Sequence, residues 1–239
     1  MTTELWTIYH EAKPPVRPAG GIVKQYMVAD AESTLGSRFA SMNCYYDIWV
    51  RGQVKQPKIV GFQAYRKHFN FRDHHMTGWE EVPTKTFYEY QDWLYKWDGG
   101  AIEDFLDKYD MIIPPPFDLT AQGGLSADFC RSRSWADWRA FREVMAGPDA
   151  IGGWDWNIGH VTSHWFVCKW PLFDEFMTDW WKVFKELEPC VKSEDATGNT
   201  VYATRALDYL TERFFTLWLS SRPYIRTKTF PLMISWDAR

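Results

Sequence analysis

Tyr65, Arg66 and Lys67 follow directly on a short apolar run in "KIVGFQAYRKHF", residues 58–69. These residue types suit an anion. Arginine offers a planar fork that grips two phosphate oxygens, and lysine adds a point charge. In an α/β chain the natural anion is the diphosphate of a nucleotide, although the same pair can equally bridge to surface carboxylates. His10 ends an earlier apolar run, "LWTIY". Asp155 lies in "GGWDWNIGH", between glycines and beside Trp154 and Trp156, with His160 closing the segment. A carboxylate there can serve as a general base toward a hydroxyl or steady an oxocarbenium-like centre. It can also simply bond its own turn backbone. Trp154 and Trp156 offer flat faces for a sugar ring, while core packing is the commoner use of a tryptophan.

Other clusters carry weaker signals. "HFNFRDHH" holds His68, Asp73, His74 and His75. Two histidines and a carboxylate can bind a metal, but adjacent His74 and His75 point apart on a strand. His160 and His164 flank the next apolar segment and read as hydrogen-bonded structural histidines before they read as bases. Arg205, Tyr209 and either Glu212 or Arg213 recur at helical spacing, which predicts a shared face with ion pairs.

Certain elements must hold these residues. "LWTIY" and "GIVKQYMVAD" read as strands, with a turn-rich "KPPVRPAGG" between them. "SRFASMNCYYDIWVRG" has apolar residues at helical spacing and stops at Gly52. "KIVGFQ" lacks polar alternation, as a buried parallel strand does. "TKTFYEYQDWLYKWDGG" and "AIEDFLDKYD" read as helices, "MIIPPP" as a strand. "SRSWADWRAFREVM" starts a helix at Ser132 or Ser134, with Trp135, Trp138, Phe141 and Met145 on one face. "SHWFVCKW" is a strand, and "PLFDEFMTDWWKVFKELEP" a helix with Pro171 in its first turn. "VYATRALDYLTERFFTLWLSS" is a further helix, and the tail reads as a strand plus an extension. Alternating strands and helices predict an α/β domain with a mixed, mostly parallel sheet flanked by helices. Ligands of such sheets sit outside the carboxyl ends of the strands, where Tyr65, Arg66, Lys67 and His10 would lie.

The totals bound the answer. The chain's 239 residues suit one domain over 1–239, with 220–239 as a C-terminal extension. A net charge of −4 argues against a nucleic-acid partner. Four cysteines without a CxxC pair read as reduced thiols of a cytoplasmic protein. The start "MTTELWTIYH" lacks a signal peptide's pattern, and no apolar stretch is long enough to predict a transmembrane segment, so a soluble chain is expected.

"GFQAYRKHF" resembles the "GLxHYRRYF" signature of a glycosyltransferase family found in bacterial capsular-polysaccharide clusters and in some large DNA viruses. "YDIWVRG", "DMIIPPP", "HWFVCKWPLFDEF" and "TRALDYLTERFFTLWL" resemble further blocks of that family, in family order, over roughly residues 40–220. The resemblance implies a GT-A-like fold. It also implies transfer of a hexosyl or pentosyl unit from a nucleotide sugar, expected to be a UDP-sugar, to a polysaccharide or glycan acceptor. On this reading His10, Asp30, Tyr65, Arg66 and Lys67 bind the donor. Trp154, Trp156 and His160 face the acceptor, and Asp155 and Arg66 are catalytic. The family's histidine before Tyr-Arg is Ala64 here, its second arginine is Lys67, and only Asp30 and Gly36 remain of an early Asp-Asn block. GT-A folds generally hold a divalent ion with an Asp-x-Asp motif. No such motif occurs, so Mn²⁺ or Mg²⁺ stays open, with Asp155-Trp156-Asn157 its nearest approach. Arg66 and Lys67 can take the metal's place on a departing diphosphate. The alternative is a non-catalytic carbohydrate-binding or assembly protein that keeps the fold. Oligomeric state is not readable from the sequence.

Overall fold

The computed structural model describes residues 2–235 apart from 11–14, 16–19, 31–34, 36, 73–75, 77, 148–152 and 193–204. Asp73, His74, His75 and Gly36 lie outside the described residues. The first strands are β1 (Thr3–Tyr9), β2 (Val23–Met27) and β3 (Ile59–Ala64). Their longest ladders are parallel: β1 lies between β2 and β3, with Leu5 opposite both Val23 and Gly61. The helix α1 (Met42–Gly52) connects into β3. All but the last residue of β3 are buried, which accounts for its unbroken apolar run.

The chain then turns tightly at Tyr65–Arg66 into β4 (Lys67–Phe69), so Ala64 pairs with Lys67. Next come β5 (Trp79–Glu81), α2 (Thr84–Leu94), α3 (Gly100–Lys108), β6 (Met111–Ile113) and β7 (Phe117–Asp118). They are followed by α4 (Gly124–Cys130), α5 (Trp135–Met145), β8 (His160–Val161), β9 (Val167–Lys169) and α6 (Trp170–Leu187). The chain closes with α7 (Ala206–Ser220), β10 (Thr227–Thr229) and β11 (Leu232–Ile234). The main sheet runs β10-β6-β9-β3-β4-β11-β5, with β1 and β2 joined on through β3. β9 is antiparallel to β3 and β6, so β3 is parallel to β1 and antiparallel to its other neighbours.

The tail supplies two strands where the sequence suggests one. β10 pairs parallel with β6, and β11 fills the space between β4 and β5. Pro231 interrupts the run between them, and each strand is too short to show alternation.

Aromatic residues build the core. Phe62 of β3 stacks on Tyr45 of α1 at 3.7 Å and lies 5.2 Å from Phe173 of α6. Trp180 and Trp218 are fully buried. α6 packs on β3 and β9 and against α1, α5 and α7. The Ser134 hydroxyl caps α5 by accepting from the Ala136 N–H. Trp138, Phe141 and Met145 are buried as the spacing predicts, but Trp135 is 56% exposed. It sits in the first turn, beyond the surface that the rest of the face covers.

Candidate functional site

The ends of β1 and β3 lie abreast, because Tyr65 N–H donates to the Ile8 carbonyl at 3.0 Å. This puts His10 edge-on to the Tyr65 ring, with centroids 6.1 Å apart. The Arg66 carbonyl accepts from Ser235 N–H at 3.0 Å, which ties the turn to the end of β11. Lys67 starts β4 with its ammonium 5.1 Å from the centroid of the Trp79 ring. A register fixed on three sides therefore aims the Tyr-Arg-Lys turn out of the sheet.

One pocket collects these residues. It has a volume of about 180 Å³, and His10, Tyr65, Arg66 and Lys67 line it together with Ser41, His164, Arg205, Asp208, Tyr209 and Glu212. Arg205, Asp208, Tyr209 and Glu212 come from α7 and the residue before it. Arg205, Asp208 or Tyr209, and Glu212 fall one turn apart, so one edge of the helix faces the strand ends. Its other side is anchored by buried Leu210, Phe214, Phe215 and Trp218.

A hydrogen-bonded network holds the α7 side. Arg205 Nη2 donates to Asp208 Oδ2 at 2.9 Å, and Ser41 Oγ donates to Asp208 Oδ1 at 2.6 Å. Ser41 precedes α1, and its hydroxyl is spent on this contact instead of on capping the helix. Ala40 before it holds a φ of 41°, an uncommon conformation for a residue with a Cβ. His164 Nε2 lies 3.0 Å from Ser41 Oγ, while its Nδ1 has no hydrogen-bond partner among the described residues and faces Glu212 Oε1 at 3.9 Å. Tyr45 fixes the His164 backbone by donating to its carbonyl at 2.7 Å. Arg213 Nη1 donates to Glu212 Oε2 at 3.0 Å, and Arg213 also pairs with Asp128.

The electrostatics follow from crowding. Burial lowers the Lys67 pKa; Glu212 works against this, and Arg66 and Arg205 add to it. Burial also lowers His10, and Arg205 and Arg66 reinforce that shift while Asp208 opposes it. Burial opposes the charge on Arg205, but Asp208, Tyr209 and Glu212 together outweigh it and the pKa is raised. Three cations and two carboxylates thus meet beside two histidines that burial keeps neutral. An anion entering here replaces the water that these cations have lost.

The carboxylates do not fit a divalent ion. Both Asp208 oxygens already accept hydrogen bonds, and Glu212 is bonded to Arg213 and Ser163. Among the described residues no three His, Cys, Asp or Glu side chains group as a metal ion requires.

The remaining sequence candidates lie elsewhere. Asp30 ends an exposed 3₁₀ turn and is not among the residues lining the pocket. Neither are Trp154, Asp155, Trp156 and His160. Asp155 Oδ1 accepts from Asn157 N–H at 3.0 Å, an Asx turn on an exposed loop. Trp154 Nε1 donates to the Met145 carbonyl, and Trp156 packs edge-on against Trp138 and Phe141. His160 is exposed on β8 opposite Asp118. His68 is wholly buried against Phe87, away from metal chemistry, with neither ring nitrogen hydrogen-bonded. Ser41 carried no signal in the sequence, and Asp208 none beyond helical spacing from Arg205 and Glu212.

In fold the chain is similar to the apo structure of WbbM, a bifunctional glycosyltransferase. The TM-score is 0.78 at 15% sequence identity, over 99% of this chain and 46% of that one. At that identity the likeness is one of fold alone. The chain spans less than half the length of that neighbour. No curated protein matches the chain. Residues 27–223, which include β3, β4 and the pocket-lining part of α7, match the family described as a domain of unknown function, DUF4422, and the chain belongs to that family.

Proposed function

We infer that the protein is a glycosyltransferase, taking a sugar from a nucleotide donor, a UDP-sugar, and passing it to a glycan acceptor. The carrying observation is the convergence of Arg66, Lys67 and Arg205 on one pocket at the carboxyl ends of β1 and β3. Its place matches where α/β sheets bind ligands. Its charge suits a diphosphate. The similarity in fold to a bifunctional glycosyltransferase supports the same reading.

Transfer breaks the bond between the sugar's anomeric carbon and the diphosphate, and negative charge gathers on the departing oxygen. Fixed cations in a site poor in water stabilise that charge without reorganising. In this proposal Arg66, Lys67 and Arg205 supply the stabilisation, with no divalent ion. Tyr65 and His10 border the donor, and Asp208 holds Arg205 in place.

The test is nucleotide release from UDP-, GDP- and CMP-sugars. Arg66→Ala is expected to lower turnover by about a hundredfold, the scale of losing one charge-stabilising donor. Unchanged turnover in that variant contradicts the reading. A carbohydrate-binding protein without catalysis draws support from the altered Ala64-Tyr65-Arg66-Lys67 signature. It is weakened by Trp154 and Trp156, whose indoles are taken up by packing.

A further inference from the structure

Ser41 has a single hydroxyl proton, and its 2.6 Å bond to Asp208 Oδ1 uses it. Toward His164 Nε2, 3.0 Å away, Ser41 can therefore only accept. This fixes the tautomer: Nε2 carries the hydrogen, and Nδ1 presents a bare lone pair. Nδ1 is buried, lacks a partner and faces Glu212 Oε1 at 3.9 Å. Two acceptors thus confront each other across a gap in the wall of the pocket, and among the described residues only the Ser163 hydroxyl, at 3.4 Å from Oε1, is a weak donor to it. What the gap lacks is a proton donor, and a sugar hydroxyl is one.

The two pocket carboxylates differ in a way that separates their roles. Asp208 is 7% exposed, with both oxygens committed to Ser41 and Arg205. Glu212 is 26% exposed, with Oε2 held by Arg213 and Oε1 turned toward the gap. We propose that Glu212 is the catalytic base, receiving the acceptor hydroxyl's proton in a niche it forms with Nδ1 of His164. The proposal rests on the glycosyltransferase reading and names a catalytic residue within it.

In the step, the acceptor's O–H bond breaks and its proton passes to Glu212 Oε1. The acceptor oxygen bonds to the anomeric carbon. The bond from that carbon to the diphosphate breaks, and its electron pair leaves with the nucleoside diphosphate, which the three cations face. His164 is a positioning residue: its lone pair accepts from a neighbouring hydroxyl of the acceptor sugar, which sets the reacting hydroxyl against Glu212 Oε1. Burial lowers its pKa more than the Asp208 and Glu212 carboxylates raise it, and Arg205 and Lys67 add to the lowering, so the ring stays neutral and able to accept.

Two measurements test this. The first compares wild type and Glu212→Gln for nucleotide release from the UDP-, GDP- and CMP-sugars and for thermal stabilisation by the free nucleotides. The expected result is a fall in kcat of a hundredfold or more, the scale of a lost general base, with nucleotide stabilisation kept. Turnover within threefold of wild type overturns the assignment of Glu212. Wild type that is stabilised by no nucleotide overturns the glycosyltransferase reading itself, and the proposal falls with it. The second uses wild-type protein labelled with ¹⁵N-histidine and reads the tautomer of His164 by NMR, with His164→Gln to assign the signal. Hydrogen on Nε2 with bare Nδ1 supports the niche. Hydrogen on Nδ1 overturns it, even if the Glu212 variant fails to fold or no tested sugar is turned over.

Discussion

His68 shows how one buried residue sets the chain's response to acid. Burial alone pushes its pKa down to about 3, and among the described residues no hydrogen bond compensates either ring nitrogen. In the folded protein it is neutral, whereas in the unfolded chain it takes up a proton below about pH 6.5. Its folded pKa is depressed, so its contribution is intact above about pH 6.5 and is lost as pH falls from there toward 3. The loss reaches about 2 kcal/mol by pH 5, at about 1.4 kcal/mol per unit. His68→Leu is expected to remove this term. Urea unfolding at pH 7.5 and pH 5 should then show wild type losing about 2 kcal/mol more than the variant across that interval. Equal losses would mean that the ring is solvated or paired. At this scale the sequence was partly readable. Tyr65, Arg66 and Lys67 stood out because a strand end forces them into a crevice. Asp155 drew attention as a lone loop carboxylate, but whether such a group turns inward or bonds its own backbone depends on a few torsion angles that residue types do not encode.

The elements hold the site by tight joints that single substitutions can probe. Gly52, the last residue of α1, lies against Trp170 at the start of α6, and a Cβ there would collide with the indole. Gly52→Ala should cost about 1–3 kcal/mol in urea unfolding, the range for overpacking a close contact. An unchanged midpoint would mean that the two helices part easily. Ser134→Ala should cost about 1 kcal/mol by loss of the α5 cap, and a drop below a few tenths would deny the cap its role. Long elements were legible because their patterns are strong: α6 shows apolar periodicity over five turns and a proline in its first turn. β4, β5 and β11 were not, since three residues carry no period and their pairing is decided across the sheet. The face of α7 bearing Arg205 and Glu212 was legible as a face. That it meets the ends of β1 and β3 was not, because the contact joins residues over a hundred positions apart.

For the molecule as a whole, the proposed role of the three cations at the carboxyl edge of the sheet is to hold a nucleotide's diphosphate without a metal. Parallel β1, β2 and β3 bring two strand ends to that edge, and α7 closes it. Among the described residues no helix is long and apolar enough to cross a membrane. The most direct measurement is thermal stability of the wild type and of the Arg66→Ala/Lys67→Ala double variant with UDP, GDP or CMP, each with and without a chelator. UDP is expected to raise the wild-type melting temperature, following mass action, with the shift intact under the chelator and lost in the double variant. A shift that vanishes with the chelator, or one that the double variant keeps in full, would contradict the account.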